Sequence, residues 1–220
     1  TSSLVHDDLP CMDDDMMRRG QASTWAEYGE DMGVLAGDAL MIYAFEVAAK
    51  AFKEVSDADD LKRVGRAIEI LASKTGIYGM IGGQTVDVEL AGGPIPKNKL
   101  DFIYRLKTGA LIESSMLIGA VLGGAAEEDC KIVESLAGKV GLAFQIQDDI
   151  LDVTSTSEVL GKPVGSDAEE GKTTFVTLLG LEEAQRRAAA LTEEAEQILA
   201  QFPEHEFLMA LTQELLRREK

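Results

Sequence analysis

Apolar residues recur every three or four positions along nearly the whole chain, and this period limits the fold more than any other feature. Met32, Leu35, Ala36, Ala39, Leu40, Tyr43 and Val47 form one such series, which predicts a helix with a buried apolar face. Leu61, Val64, Ile68, Leu71, Thr75 and Tyr78 form another, capped by Ser56-Asp57 and running towards Gly82-Gly83-Gln84. Beyond the loop signal Gly92-Gly93-Pro94-Ile95-Pro96, the count resumes with Ile103, Leu106, Ala110, Leu111, Met116 and Leu117. It continues over 127–152, 181–199 and 204–218. The segment 2–17 reads as the end of a helix kinked at Pro10, with a turn at Gly20. Residues 154–172, rich in glycine and polar side chains, read as a surface loop able to move over a site. At 220 residues this pattern is expected to build one all-α domain spanning 1–220.

A formal net charge of −18 argues against sequence-independent nucleic-acid binding and against a polybasic membrane contact. Cys11 and Cys130 have neither pairing nor zinc-ligand spacing, which fits a reducing, cytoplasmic compartment. No uninterrupted apolar run approaches the ~20 residues a bilayer span needs, so no transmembrane segment is expected. The chain opens at Thr1 rather than Met, and an N-terminal part is expected to be missing.

Acidic residues are concentrated at two places. Asp7, Asp8, Asp13, Asp14 and Asp15 crowd together just before Arg18 and Arg19. Such carboxylates repel one another unless a cation or a pKa shift relieves them. Asp148, Asp149 and Asp152 form the second cluster. On a helix Asp148 and Asp152 lie one turn apart, with Asp149 beside them and Gln145 on the same stripe. Apolar Ile146, Ile150 and Leu151 put this cluster at the border of a core, where uncompensated charge is costly. Carboxylate oxygens suit Mg²⁺, which binds through one or two carboxylates together with substrate phosphates, so a diphosphate substrate is expected. Arg18, Arg19, Lys107, Lys162 and Lys172 are the candidates to hold phosphate oxygens. His6 reads as a packed or hydrogen-bonded histidine without a catalytic role, and Cys11 and Met12 as cavity or core residues.

The chain resembles the short-chain trans-prenyl diphosphate synthases of the farnesyl and geranylgeranyl type. The resemblance rests on Asp7-Asp8-x4-Asp13 with Arg18-Arg19-Gly20, Leu35-Ala36-Gly37-Asp38-Ala39-Leu40, Gly82-Gly83-Gln84 with Asp87, and Lys107-Thr108-Gly109-Ala110-Leu111. It continues through Gly141 to Asp152, Gly161-Lys162-Pro163 and Gly171-Lys172-Thr173-Thr174. It implies an isoprenoid-synthase-type helical bundle with a central cavity, and a homodimer.

Asp7, Asp13 and Asp148 would then lead the coordination of Mg²⁺ on an allylic diphosphate, supported by Asp8, Asp149 and Asp152. Arg18, Lys107, Lys162 and Lys172 would hold that diphosphate, and Arg19 would contact isopentenyl diphosphate. Thr108 and Gln145 would stabilise an allylic carbocation, which isopentenyl diphosphate attacks. The family's upstream Gly-Lys-x-x-Arg segment and histidine have no counterpart before Thr1, so the fold is expected to be truncated at its N-terminus. Pro10-Cys11 is associated with short products, whereas small Ser2 and Ser3 permit longer ones. The expected product is farnesyl diphosphate, with geranylgeranyl diphosphate, or a catalytically incomplete partner subunit or fragment, as the alternatives.

Overall fold

A computed structural model describes residues 1–155 and 173–217, and these are mostly helical. The chain groups into two compact units, Thr1–Val64 and Gly65–Lys220.

In the first unit a short helix, α1 (Ser2–Asp7), ends where Asp8 takes the cap position. The chain then turns tightly instead of continuing as the kinked helix expected over 2–17, because Pro10 lacks the N–H that another helical turn would need. Backbone bonds hold this turn: the Asp13 N–H donates to the Asp7 carbonyl at 2.9 Å, and the Asp15 N–H to the Asp8 carbonyl at 3.1 Å. The chain next makes a hairpin, β1 (Met17–Arg18) against β2 (Gln21–Ala22), an element helical periodicity could not reveal. Its two-residue loop places Arg19 at φ 54° and Gly20 at φ 77°. Positive φ at both positions is the twist that two-residue hairpins favour.

After α2 (Thr24–Tyr28) comes α3 (Glu30–Lys50). Helix α1 seats on α3 where the latter has no side chains. A Cβ on Gly33 would lie 2.9 Å from Leu9 Cδ2, and one on Gly37 would lie 2.1 Å from His6 Nε2. His6 Nε2, 3.0 Å from the Val34 carbonyl, donates to it, so His6 is the packed, hydrogen-bonded residue expected.

The apolar face of α3 is not buried as its periodicity predicted. Only Gly33 and Gly37 of this helix are buried, while Leu35, Ile42 and Tyr43 are among its exposed apolar side chains. By length and composition alone Glu30–Lys53 is apolar enough to cross a membrane, because Asp38 and Glu46 interrupt the run without making it polar.

The division between the units falls within α4 (Ala58–Thr75). In the second unit α4 stops at Gly76–Gly79, and α5 (Met80–Leu90) starts anew, so Gly82-Gly83-Gln84 lies inside a helix and not at the end of one. After the predicted loop, α6 (Lys97–Ile103) runs into a π-helical turn, Tyr104–Gly109, and on into α7 (Ala110–Leu122). The long α8 (Glu127–Thr154) follows. The described part then closes with α9 (Phe175–Leu179), α10 (Leu181–Leu199) and α11 (Glu206–Arg217).

The main core gathers Ile103, Tyr104, Ile146, Ile150 and Phe175 with Leu191. Ala143 and Ala184 within it are fully buried, small enough to let α8 and α10 close on each other. Leu136, Val140, Ala195 and Leu199 extend this contact towards the other end of the two helices. Lys162, Lys172 and nearly all of the expected 154–172 loop lie outside the described residues.

Candidate functional site

In the first unit the tight turn after α1 brings the backbones of Asp7 and Asp13 together, closing the spacing between them. Asp7 is half-buried and Asp13 exposed. Asp8 is buried, at 3% exposure, and Arg18 reaches it from the hairpin. Arg18 Nε donates to Asp8 Oδ1 at 2.9 Å, and Nη2 donates to the same oxygen and to Asp15 Oδ2 at 3.3 Å. The Asp8 hydrogen bond is the main reason that the Arg18 pKa is raised; burial opposes it, and the charges of Asp8, Asp15 and Asp7 add to the rise. Two residues expected to face ligands, Asp8 a metal and Arg18 a diphosphate, therefore hold one another. Arg19 stands exposed at the hairpin loop.

In the second unit the π turn is the central feature. A π turn carries one residue more than an α turn, is rare, and frequently marks functional sites. Lys107 Nζ donates to Asp87 Oδ2 of α5 at 2.7 Å, and Thr108 Oγ1 donates to Gln145 Oε1 of α8 at 2.7 Å. Thr108 and Gln145, both expected near a carbocation, are thus hydrogen-bonded to each other. Asp87 as the partner of Lys107 was not read as a site residue, although it stands one helical turn beyond Gly82-Gly83-Gln84.

The three aspartates of the second cluster differ sharply. Asp148 is exposed, whereas Asp149 and Asp152 are both 3% exposed. Asp149 Oδ2 accepts from Tyr104 Oη at 2.7 Å and from the Phe175 N–H at 2.8 Å. Tyr104 carries no charge and reads in the sequence only as one more large residue after an apolar series. Nothing in its spacing signals a contact with Asp149.

Among the described residues no three His, Cys, Asp or Glu side chains come together closely enough to hold a metal ion by themselves. That donor chemistry does fit Mg²⁺, which completes its shell with water and substrate phosphate oxygens around one or two carboxylates. Asp7 and Asp13 in the first unit, and Asp148 in the second, are the expected metal-binding carboxylates that reach the surface.

A family model described as polyprenyl synthetase matches residues 1–208. The farnesyl diphosphate synthase of Escherichia coli (strain K12) is 42% identical over 224 residues, which cover 99% of this chain and 74% of that protein. The chloroplastic geranylgeranyl pyrophosphate synthase of Capsicum annuum is 44% identical over 203 residues, covering 92% of this chain but only 54% of that protein. A crystal structure of geranyltransferase from Helicobacter pylori, complexed with magnesium and isoprenyl diphosphate, superposes with a TM-score of 0.83 at 38% identity. That match covers 98% of this chain and 69% of the Helicobacter chain.

Proposed function

The chain belongs to the polyprenyl synthetase family, and we propose that it is a Mg²⁺-dependent prenyltransferase condensing isopentenyl diphosphate with dimethylallyl or geranyl diphosphate to give farnesyl diphosphate. The observation that carries this reading is the π turn that presents Lys107 and Thr108 side by side, one paired with Asp87 and the other with Gln145.

Lys107 is placed to exchange its carboxylate partner for an oxygen of the allylic diphosphate, keeping its charge as the C1–O bond breaks and the electron pair leaves with pyrophosphate. When bound, Mg²⁺ supplies further positive charge to the same leaving group. Thr108 Oγ1 donates its hydrogen bond to Gln145 Oε1, so both oxygens keep lone pairs to turn towards the cation at C1. The double bond of isopentenyl diphosphate supplies the electrons of the new carbon–carbon bond. The proton then lost from the adjacent carbon goes to an oxygen of the departing pyrophosphate, so no protein base is required.

The reading includes a homodimer, in which a second copy covers the apolar face of α3. A bilayer is a poorer cover, because Asp38 and Glu46 lie within this helix and a carboxylate at mid-membrane costs about 3 kcal/mol. Small Ser2 and Ser3 on α1 favour one second reading, a geranylgeranyl product.

Incubation with isopentenyl and dimethylallyl diphosphates and Mg²⁺, followed by product-length analysis, is expected to yield mainly the farnesyl chain and nothing once the metal is chelated. Asp148→Ala is expected to abolish turnover while leaving the fold intact. Products dominated by chains longer than geranylgeranyl, or turnover that survives Asp148→Ala, would refute the proposal.

A further inference from the structure

One stripe of α8 lies along the π turn. Gly141, Gln145 and Asp149 fall one helical turn apart and meet Gly109, Thr108 and Tyr104 in that order. A Cβ on Gly141 would lie 2.8 Å from Gly109 Cα, Gln145 Oε1 accepts from Thr108 at 2.7 Å, and Asp149 Oδ2 accepts from Tyr104 at 2.7 Å. On the side facing α5, a Cβ on Gly83 would lie 2.3 Å from Lys107 N. The turn is therefore pressed from two helices and anchored by hydrogen bonds at Thr108 and at Tyr104.

These anchors matter because a π turn has poorer backbone geometry than an α turn and persists only where its surroundings enforce it. Loss of the extra residue would rotate Lys107 and Thr108 by about 100° relative to the preceding helix, the angle of one residue in an α-helix. Asp149 holds the Tyr104 end. The same oxygen takes the Phe175 N–H at 2.8 Å, so the start of α9 is tied to the start of the π turn. The Tyr104 and Phe175 rings, with centroids 5.4 Å apart, pack beside this junction. A carboxylate oxygen buried with two good donors is a strong acceptor and a poor candidate to turn outward.

We propose that Asp149 is a positioning residue and not a metal ligand: through Tyr104 and the Phe175 amide it holds the π turn that presents Lys107 and Thr108. This rests on the reading that those two residues serve the diphosphate.

Tyr104→Phe, Asp149→Leu and Asp149→Asn separate the two roles, because Asn keeps an oxygen able to accept both hydrogen bonds while giving up the charge. Hydrogen exchange of the 104–109 amides is followed on the metal-free protein, and Mg²⁺-dependent binding of inorganic pyrophosphate by calorimetry. Tyr104→Phe and Asp149→Leu are expected to speed exchange in the π turn and to weaken pyrophosphate binding about tenfold, in line with losing one hydrogen bond to a charged acceptor. Asp149→Asn is expected to stay close to the unsubstituted protein in both measurements, and Tyr104→Phe combined with Asp149→Leu to be no worse than the more damaging of the two.

The inference is overturned if Tyr104→Phe leaves exchange and pyrophosphate binding unchanged, or if Asp149→Asn raises the Mg²⁺ requirement as much as Asp149→Leu does. Should the unsubstituted protein fail to bind pyrophosphate with Mg²⁺, the proposed function fails, while metal-free exchange still decides the role of Asp149. Tyr104→Phe keeps the ring in the core, so its result stands even where Asp149→Leu does not fold.

Discussion

Gly83→Ala places a methyl group where α5 meets the π turn. The added Cβ would lie 2.3 Å from Lys107 N, 2.8 Å from Leu106 C and 2.8 Å from Leu106 Cβ. Two of these three atoms are backbone and cannot swing aside as a side-chain tip would. Overpacking of this kind costs about 1–3 kcal/mol, and a backbone neighbour puts the site near the upper end. Alanine recovers about 1 kcal/mol of helix propensity, which leaves a net loss of roughly 2 kcal/mol. In a chain of this length each kcal/mol moves Tm by about 2–4 °C, so a fall of about 4–8 °C is expected.

Gly65→Ala in α4 is the control, since a Cβ there meets nothing within 4 Å. It is expected to raise Tm by about 2–4 °C through propensity alone. Both values are read by differential scanning calorimetry in the absence of metal. Because Lys107 carries the strain, Gly83→Ala is also expected to weaken pyrophosphate binding, whereas Gly65→Ala leaves it unchanged. A neutral or stabilising Gly83→Ala would refute the close approach of α5 to the π turn.

Arg18→Met strands the buried Asp8 carboxylate. Breaking a buried pair costs about 3–5 kcal/mol, reduced here to roughly 2 because Arg18 is about a third exposed; chemical denaturation is expected to show the loss, and Arg18→Met combined with Asp8→Asn to recover part of it. Lys74 of α4 donates to Glu113 at 2.5 Å and to Glu134 at 2.8 Å. Burial alone would lower the Lys74 pKa, but the hydrogen bonds and charges of the two glutamates together outweigh it and the pKa is raised. A raised folded pKa means the stabilisation is complete below the ordinary value and fades as pH climbs through the folded one. Tm of the unsubstituted protein is therefore expected to fall more steeply at alkaline pH than that of Lys74→Met; parallel slopes would remove Lys74 from the account. At the acid end, Arg66 and Lys139 hold the Glu127 and Glu194 carboxyls below their ordinary range, first by hydrogen bonds and then by charge. Their contribution is present above that range and lost as pH falls through it, and added salt is expected to flatten the small acid slope because both carboxylates are exposed.

Composition and spacing alone made the all-helical class legible, together with most helix positions. Residues 181–199 were read as a helix and form α10 with those bounds. Periodicity succeeds there because a helix buried along one stripe records the stripe in its sequence. The same reasoning fails for α3, whose apolar residues spread around most of the helix and are largely exposed. A repeat states that a face avoids water and not what covers it. It also fails at Pro10 and at Arg19-Gly20, where hydrogen bonding over a few residues decides the path.

The two acidic clusters and Lys107-Thr108 were also visible as residue types at a spacing, because carboxylates and cations are conspicuous among apolar neighbours. Their division of labour was not. Asp148 and Asp149 are adjacent and chemically identical, yet one faces water and the other lies buried beneath Tyr104 and the Phe175 amide. Adjacent residues of α8 point about 100° apart, and the side that Asp149 takes is met by Tyr104 and by the Phe175 amide of α9, 26 residues further along the chain. Local sequence determines which groups are present and on which stripe they fall. Only tertiary packing decides which carboxylate reaches the surface and which is buried against donors from other helices.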